Sequence, residues 1–244
     1  MKNMQVSKWL MVALTVCLLG GKAFSQSADD IINKNLDALG GKAKLATLNS
    51  LYTEASSQIV GQTLPTKTWV NAANQQLRSE VELPGGASIV TVISDGKGWM
   101  INPMQGAADP TELPADMVKT YAKQMDLAGQ FYNYAQKGFT ATLLGTEKVD
   151  GKDAYKIKMA RSGQPDVTYF VDGSTYLIVK TSTMITAAGQ ATQTDISFAD
   201  YKQTPEGYMI PFSYKMTLPM GELDVSVTKA VANQPIDQKL FQKP

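Results

Sequence analysis

From Leu51 onward, with one break between Asn102 and Gly138, this chain repeats one pattern: apolar residues at every second position, in short segments closed off by turn residues. Tyr155, Ile157 and Met159 alternate with Lys156 and Lys158, and Leu223, Val225 and Val227 alternate with Asp224, Ser226 and Thr228. A period of two puts one side of each segment against a core and the other in water, which is the mark of half-buried antiparallel strands. Turn signals punctuate the segments at Gly61, Pro84-Gly85-Gly86, Asp95-Gly96, Asp150-Gly151, Asp172-Gly173, Ala188-Gly189, Pro205-Glu206-Gly207 and Pro219. Asp-Gly between alternating segments is the strongest short-range hairpin signal, and the spacing predicts a meander of about ten or eleven antiparallel strands.

Helices are expected at two places. Ser27-Ala28-Asp29-Asp30 has the form of an N-cap with an acidic residue three positions on, Ile31, Ile32, Asn35, Leu36 and Leu39 follow near helical spacing, and Gly40-Gly41 is a stop. A second short helix fits 42–48. Between Asn102 and Gly138 the alternation stops, and Pro114–Leu127 reads as a helix with Met117, Tyr121 and Met125 one turn apart. Phe131, Tyr132 and Tyr134 follow as an aromatic segment. No linker or repeat divides the chain, so residues 26–244 are expected to form one α+β domain.

Residues 1–25 read as a signal peptide. Lys2 and Lys8 precede an apolar stretch from Trp9 to Leu19, and Ala23-Phe24-Ser25 is a small-x-small cleavage site. Gly20-Gly21-Lys22 ends the apolar stretch too early for a membrane anchor. Val16 before Cys17 and Leu18-Leu19 after it do not suit lipidation. Export to the periplasm is the expectation, with loss of the one cysteine, so that stability rests on packing without disulfides.

Composition excludes several function classes. The chain has no histidine, and so no Ser-His-Asp triad, no Cys-His dyad and none of the commonest ligand for zinc, copper and non-haem iron. With 23 basic and 22 acidic side chains it lacks the basic footprint that nucleic acid requires. Remaining catalytic patterns fail in context. Ser94 and Lys97 straddle a turn, Tyr176 and Lys180 lie in a strand region with no Gly-rich dinucleotide loop, and Asp166, Asp172, Asp195 and Asp200 flank turns or face outward. No calcium-loop pattern is present. The expectation is a protein that is not an enzyme and holds no metal or cofactor.

What the chain has in surplus is adaptable apolar side chains, Met above all, including Met100, Met104, Met117, Met125, Met159, Met184, Met209, Met216 and Met220. A long curved sheet closed on one face by few helices tends to enclose a cavity, which in an exported protein suits a hydrophobic ligand.

The segment Asp95-Gly96-Lys97-Gly98-Trp99-Met100-Ile101-Asn102-Pro103 resembles the DGK-x-W-x-x-NP segment of the periplasmic outer-membrane lipoprotein carriers (LolA-like), in a Bacteroidetes-type branch of lipoprotein-sorting proteins. Ala38-Leu39-Gly40-Gly41, Tyr169-Phe170-Val171-Asp172 with Leu177, Asp200-Tyr201-Lys202, Gly207-Tyr208-Met209-Ile210-Pro211-Phe212 and Leu240-Phe241 occur in matching order, so the resemblance spans nearly all of 28–244. It implies an incomplete barrel of about eleven antiparallel strands, strongly curved, with helices as a lid over an apolar concave face. It implies cargo that is an acylated lipoprotein or lipid, taken from an inner-membrane releasing complex to an outer-membrane acceptor by a monomeric carrier. Pro114–Leu127 would be the lid. Trp69, Leu77, Trp99, Ile101, Met117, Tyr121, Met125, Phe131, Tyr155, Ile157 and Met159 would form the apolar site.

One departure stands out. The carriers latch the lid with an Arg in a K-R-P-N stretch after a strand Trp, and here Trp69-Val70-Asn71-Ala72-Ala73-Asn74 places Ala72 near that position. Arg78 is either a displaced latch or an exposed strand residue. The other reading of the same apolar face is an envelope sensor or interaction module that docks a lipid or protein partner.

Overall fold

The computed structural model describes residues 26–59, 61–106, 109–187, 190–218 and 221–244. Residues 1–25, expected to be a signal peptide and including Cys17, and the expected turn residues Ala188, Gly189 and Pro219, with Met220, lie outside the described residues.

Helix α1 (Ala28–Ala38) starts where the sequence places it. The Ser27 hydroxyl accepts from the Asp30 amide while the Asp30 carboxylate accepts from the Ser27 amide, a closed capping box that holds the Asp30 carboxyl below its ordinary value. Helix α2 is a single turn (Lys42–Leu45), shorter than expected. Helix α3 (Ala115–Ala122) is also shorter, with Pro114 as its N-cap and a 3-10 turn over Lys123–Met125 completing the stretch.

Among the described residues thirteen strands form, not ten or eleven: β1 (Ser50–Ile59), β2 (Gln62–Asn71), β3 (Gln76–Glu82), β4 (Ser88–Ser94), β5 (Lys97–Ile101), β6 (Thr111–Glu112), β7 (Thr140–Val149), β8 (Lys152–Ala160), β9 (Val167–Asp172), β10 (Ile178–Ala187), β11 (Gln190–Gln203), β12 (Met209–Leu218) and β13 (Gly221–Ala232). The difference comes from the two-residue β6 and from the hairpin at 72–75, whose Ala-Ala-Asn-Gln carries no Gly or Pro; Gln75 itself supplies the positive φ of 53°. At the Asp95-Gly96 and Asp150-Gly151 hairpins both residues have positive φ, as a two-residue turn between twisted strands requires.

All thirteen strands belong to one antiparallel sheet in the order β6-β5-β4-β3-β2-β1-β13-β12-β11-β10-β9-β8-β7. Hydrogen-bonded neighbours that are consecutive in sequence are hairpins; β13 returns to pair with β1, which leaves β6 and β7 as the two edges. The sheet is therefore an open, curved half-barrel. Residues 113–139, with α3, connect one edge to the other. Together with α1 they line one face, called inner below.

Candidate functional site

In an antiparallel sheet, residues paired across strands share a face and sequence neighbours take opposite faces. The pairing row Ala232, Leu51, Val70, Leu77, Ile93, Gly98 crosses β13, β1, β2, β3, β4 and β5 on the inner face. Val70, Leu77, Ile93 and Met125 form a buried cluster against Val118 and Tyr121 of α3. Gly98 makes this approach possible: a Cβ there would lie 2.7 Å from Ile93 Cδ1 and 3.0 Å from both Leu113 Cδ1 and Val118 Cγ2. The opposite end of the inner face is filled by α1 and the aromatic segment. Ile31, Ile32 and Leu36 pack with Phe131, Phe139, Ile157, Met159 and Val171.

Between these helix-covered ends lies a band that the sequence reading missed. One row runs Phe198, Tyr214, Val225, Ser57, Leu64. The next runs Leu223, Met216, Ile196, Thr181, Tyr169, Ile157 and continues beneath α1. Neither row contains a charged side chain. Phe198, Tyr214, Met216, Ile196 and Leu223 are half-buried, and Val225 is 3% exposed. Burial pushes the Tyr214 phenol upward from its ordinary pKa, as an apolar setting should. The alternation of Leu223, Val225 and Val227 was the visible signal; its register with β12 and β11 was not.

The outer face is the reverse. Lys156, Phe170, Lys180, Ser197, Lys215 and Asp224 make up one of its rows. Several of its charges are paired: Lys156 with Glu147 at 2.9 Å, Lys180 with Asp195 at 2.8 Å and Lys229 with Glu54 at 3.1 Å.

The expected site residues are thus divided between the two faces. Leu77, Tyr121 and Met125 lie together under α3, and Met117 on the same helix is 40% exposed. Phe131, Tyr155, Ile157 and Met159 lie in the α1 cluster, with Phe131, Ile157 and Met159 buried and Tyr155 half-buried. Trp69, Trp99 and Ile101 belong to the outer face, because Trp69 pairs with Arg78, Arg78 with Val92 and Val92 with Trp99, one position out of phase with the inner row. Trp69 packs against Tyr52 with ring centroids 5.1 Å apart and the planes tilted by 34°, and both line a groove of about 360 Å³ shared with residues of the 234–240 segment.

Arg78 is correspondingly not bonded to α3. Its Nη1 donates to the Leu240 carbonyl at 3.0 Å, and its guanidinium pairs with Glu80 at 2.6 Å. It ties the C-terminal segment, with Phe241 buried, to the outer face.

The carboxylates weighed as catalytic have structural partners. Asp172 accepts from the Ser174 and Thr175 amides and the Thr175 hydroxyl, and Asp166, Asp195 and Asp200 pair with Lys158, Lys180 and Lys202. Among the described residues no group of three or more His, Cys, Asp or Glu is placed to hold a metal ion, and no helix is long and apolar enough to cross a membrane.

No protein family and no curated protein matches this chain by sequence. Solved structures do match it in shape. A LolA superfamily protein from Nitrosomonas europaea superposes with a TM-score of 0.57 over 90% of this chain and 99% of its own, at 14% identity. The fold is LolA-like. A domain from Vibrio parahaemolyticus named for outer membrane lipoprotein sorting gives 0.58 over 88% and 96% at 12% identity. A DUF1329 family protein from Desulfovibrio piger gives 0.59 over 89% and 98% at 13% identity. At such identities the likeness is one of fold. The LolA-like fold accounts for the motif around Trp99 in structural terms. Asp95-Gly96 makes the hairpin, Gly98 seats Leu113 and Val118, and Asn102 caps the 3-10 turn that begins at Pro103.

Proposed function

We propose that this protein binds acylated cargo, a lipoprotein or lipid, on the inner face of its half-barrel and carries it through the periplasm. The observation that carries this reading is the charge-free band of half-buried Leu64, Ile196, Phe198, Tyr214, Met216 and Leu223 around the buried Val225, between two helix-covered ends. An acyl chain laid there is dehydrated at about 0.8 kcal/mol per CH₂. The band continues into Ile157 under α1, so longer chains gain further contact if α1 or α3 yields. The names of the neighbours of like fold support the same class of ligand. Residues 1–25 supply the export signal in this account, and the chain acts as a monomer without a cofactor.

The test is calorimetric titration with a palmitoylated peptide and its unacylated twin. Saturable binding of the acylated form alone is expected. Equal binding of both forms contradicts the reading and favours a module that docks protein.

A further inference from the structure

Tyr52 and Trp69 are aromatic exceptions on an outer face rich in charge, both half-buried, with ring centroids 5.1 Å apart. The C-terminal segment forms the other wall of the groove beside them. It is fixed at its start by Asn233. There Oδ1 accepts from the Asn49 and Ser50 amides at 2.8 and 3.3 Å, and Nδ2 donates to the Thr47 carbonyl and the Tyr208 hydroxyl, both at 2.8 Å. At its end the segment is held by the bond from Arg78 to the Leu240 carbonyl and by buried Phe241. Between these anchors Ile236 and Leu240 line the groove together with the two rings.

A segment free to relax would close such a gap, because apolar atoms without neighbours forfeit dispersion. Anchored at both ends, it keeps the groove preformed. The volume of about 360 Å³ lies at the small end of ligand pockets, typically about 300–1,000 Å³.

Polar groups at the rim narrow the ligand chemistry. Lys229 Nζ stands 5.4 Å from the Tyr52 ring centre and donates to Glu54 at 3.1 Å, so a cation already holds that ring and would repel a second. Ser50 Oγ is bonded to the Gln234 carbonyl. Asp237 Oδ1 accepts from the Lys239 amide at 3.0 Å, whereas Asp237 Oδ2 has no protein partner among the described residues. The groove thus offers the Trp69 ring, aliphatic side chains and a carboxylate oxygen able to accept from a hydroxyl. A purely apolar ligand would leave that oxygen unused, and an anionic one would be repelled by it. A neutral sugar ring, with C–H faces and O–H edges, matches both parts.

We propose that this groove binds a saccharide, with Trp69 as the platform and Asp237 as the acceptor of a sugar hydroxyl. The site is separate from the inner face and does not depend on the acyl-binding reading.

The test is calorimetric titration with maltose, cellobiose and N,N′-diacetylchitobiose, and with benzyltrimethylammonium as a cationic ring. Saturable binding of at least one disaccharide is expected, with a change in tryptophan emission. Asp237→Asn, which can still cap the Lys239 amide, should weaken that binding about tenfold, the worth of one charged hydrogen bond. Trp69→Ala should weaken it at least as much. Saturation with the palmitoylated peptide should leave it unchanged. Failure of all three disaccharides to bind overturns the proposal, and so does binding undiminished in Asp237→Asn, which stands even if Trp69→Ala does not fold. Competition with the palmitoylated peptide, or tighter binding of benzyltrimethylammonium than of every disaccharide, overturns it as well.

Discussion

Leu77 and Arg78 are consecutive in β3 and serve opposite faces of one sheet. Leu77, wholly buried, lies beneath α3, whereas Arg78 reaches outward to the Leu240 carbonyl at 3.0 Å. This alternation separates the face proposed to bind cargo from the face that anchors the C-terminal segment.

Replacing Arg78 by Met should therefore loosen the C-terminal segment and leave ligand binding intact. The lost charged hydrogen bond is worth about 1–3 kcal/mol. Limited proteolysis should cut the variant near residues 234–244 sooner than the wild type, with unchanged acyl affinity. A latch on the lid would give the opposite result, altered affinity with a protected C-terminal segment.

Gly98→Val should disturb the opposite face. The first added carbon already meets Ile93 at 2.7 Å, and Leu113 and Val118 leave it no room. Overpacking of this kind costs about 1–3 kcal/mol, and α3 should shift off β5. A lowered midpoint in thermal melts, with faster amide exchange over 115–122, is the expected outcome.

Much of the local structure was legible in the residues. Ser27 and Asp30 announced the start of α1, and Asp95-Gly96 and Asp150-Gly151 announced their hairpins. The phase of each strand was less so. In β4 the stretch Ile89-Val90-Thr91-Val92-Ile93 shows no clean alternation, because Ile93 faces α3 while Val92, also wholly buried, faces the C-terminal segment. Trp69 and Val70 pose the same problem in β2. Without pairing register, a strand covered on both faces does not reveal which side chains share a surface, and so Trp69, Trp99 and Leu77 were grouped together. Tyr214 and Phe198 were missed for the complementary reason. They adjoin each other only through the β11–β12 register.

Both described tryptophans, Trp69 and Trp99, lie on the outer face. Their fluorescence should accordingly stay nearly unchanged when cargo fills the inner face. A Tyr214→Trp variant should report loading by a blue shift. A large shift from Trp69 and Trp99 alone would place the ligand on the outer face.

Asp172 links stability to pH. Burial by itself would raise its pKa, but the Thr175 and Ser174 amides and the Thr175 hydroxyl outweigh that and hold it below the ordinary carboxylate value. A folded-state pKa below the unfolded one means stability present in full above about pH 4 and lost as pH falls through the depressed value. Asp172→Ala should cost about 1–3 kcal/mol at pH 7. Urea melts at pH 7 and pH 3 should show the difference between variant and wild type shrinking at the lower pH.

The central claim, that the inner band of the half-barrel dehydrates acyl chains, is tested most directly by affinity against chain length. For N-acylglycines of eight, ten and twelve carbons, binding should tighten by about threefold to fourfold per CH₂. Val225→Asp and Tyr214→Glu should abolish it, and Trp69→Ala should not. Affinity that is independent of chain length, or that is lost with Trp69→Ala and kept with Val225→Asp and Tyr214→Glu, would contradict the account.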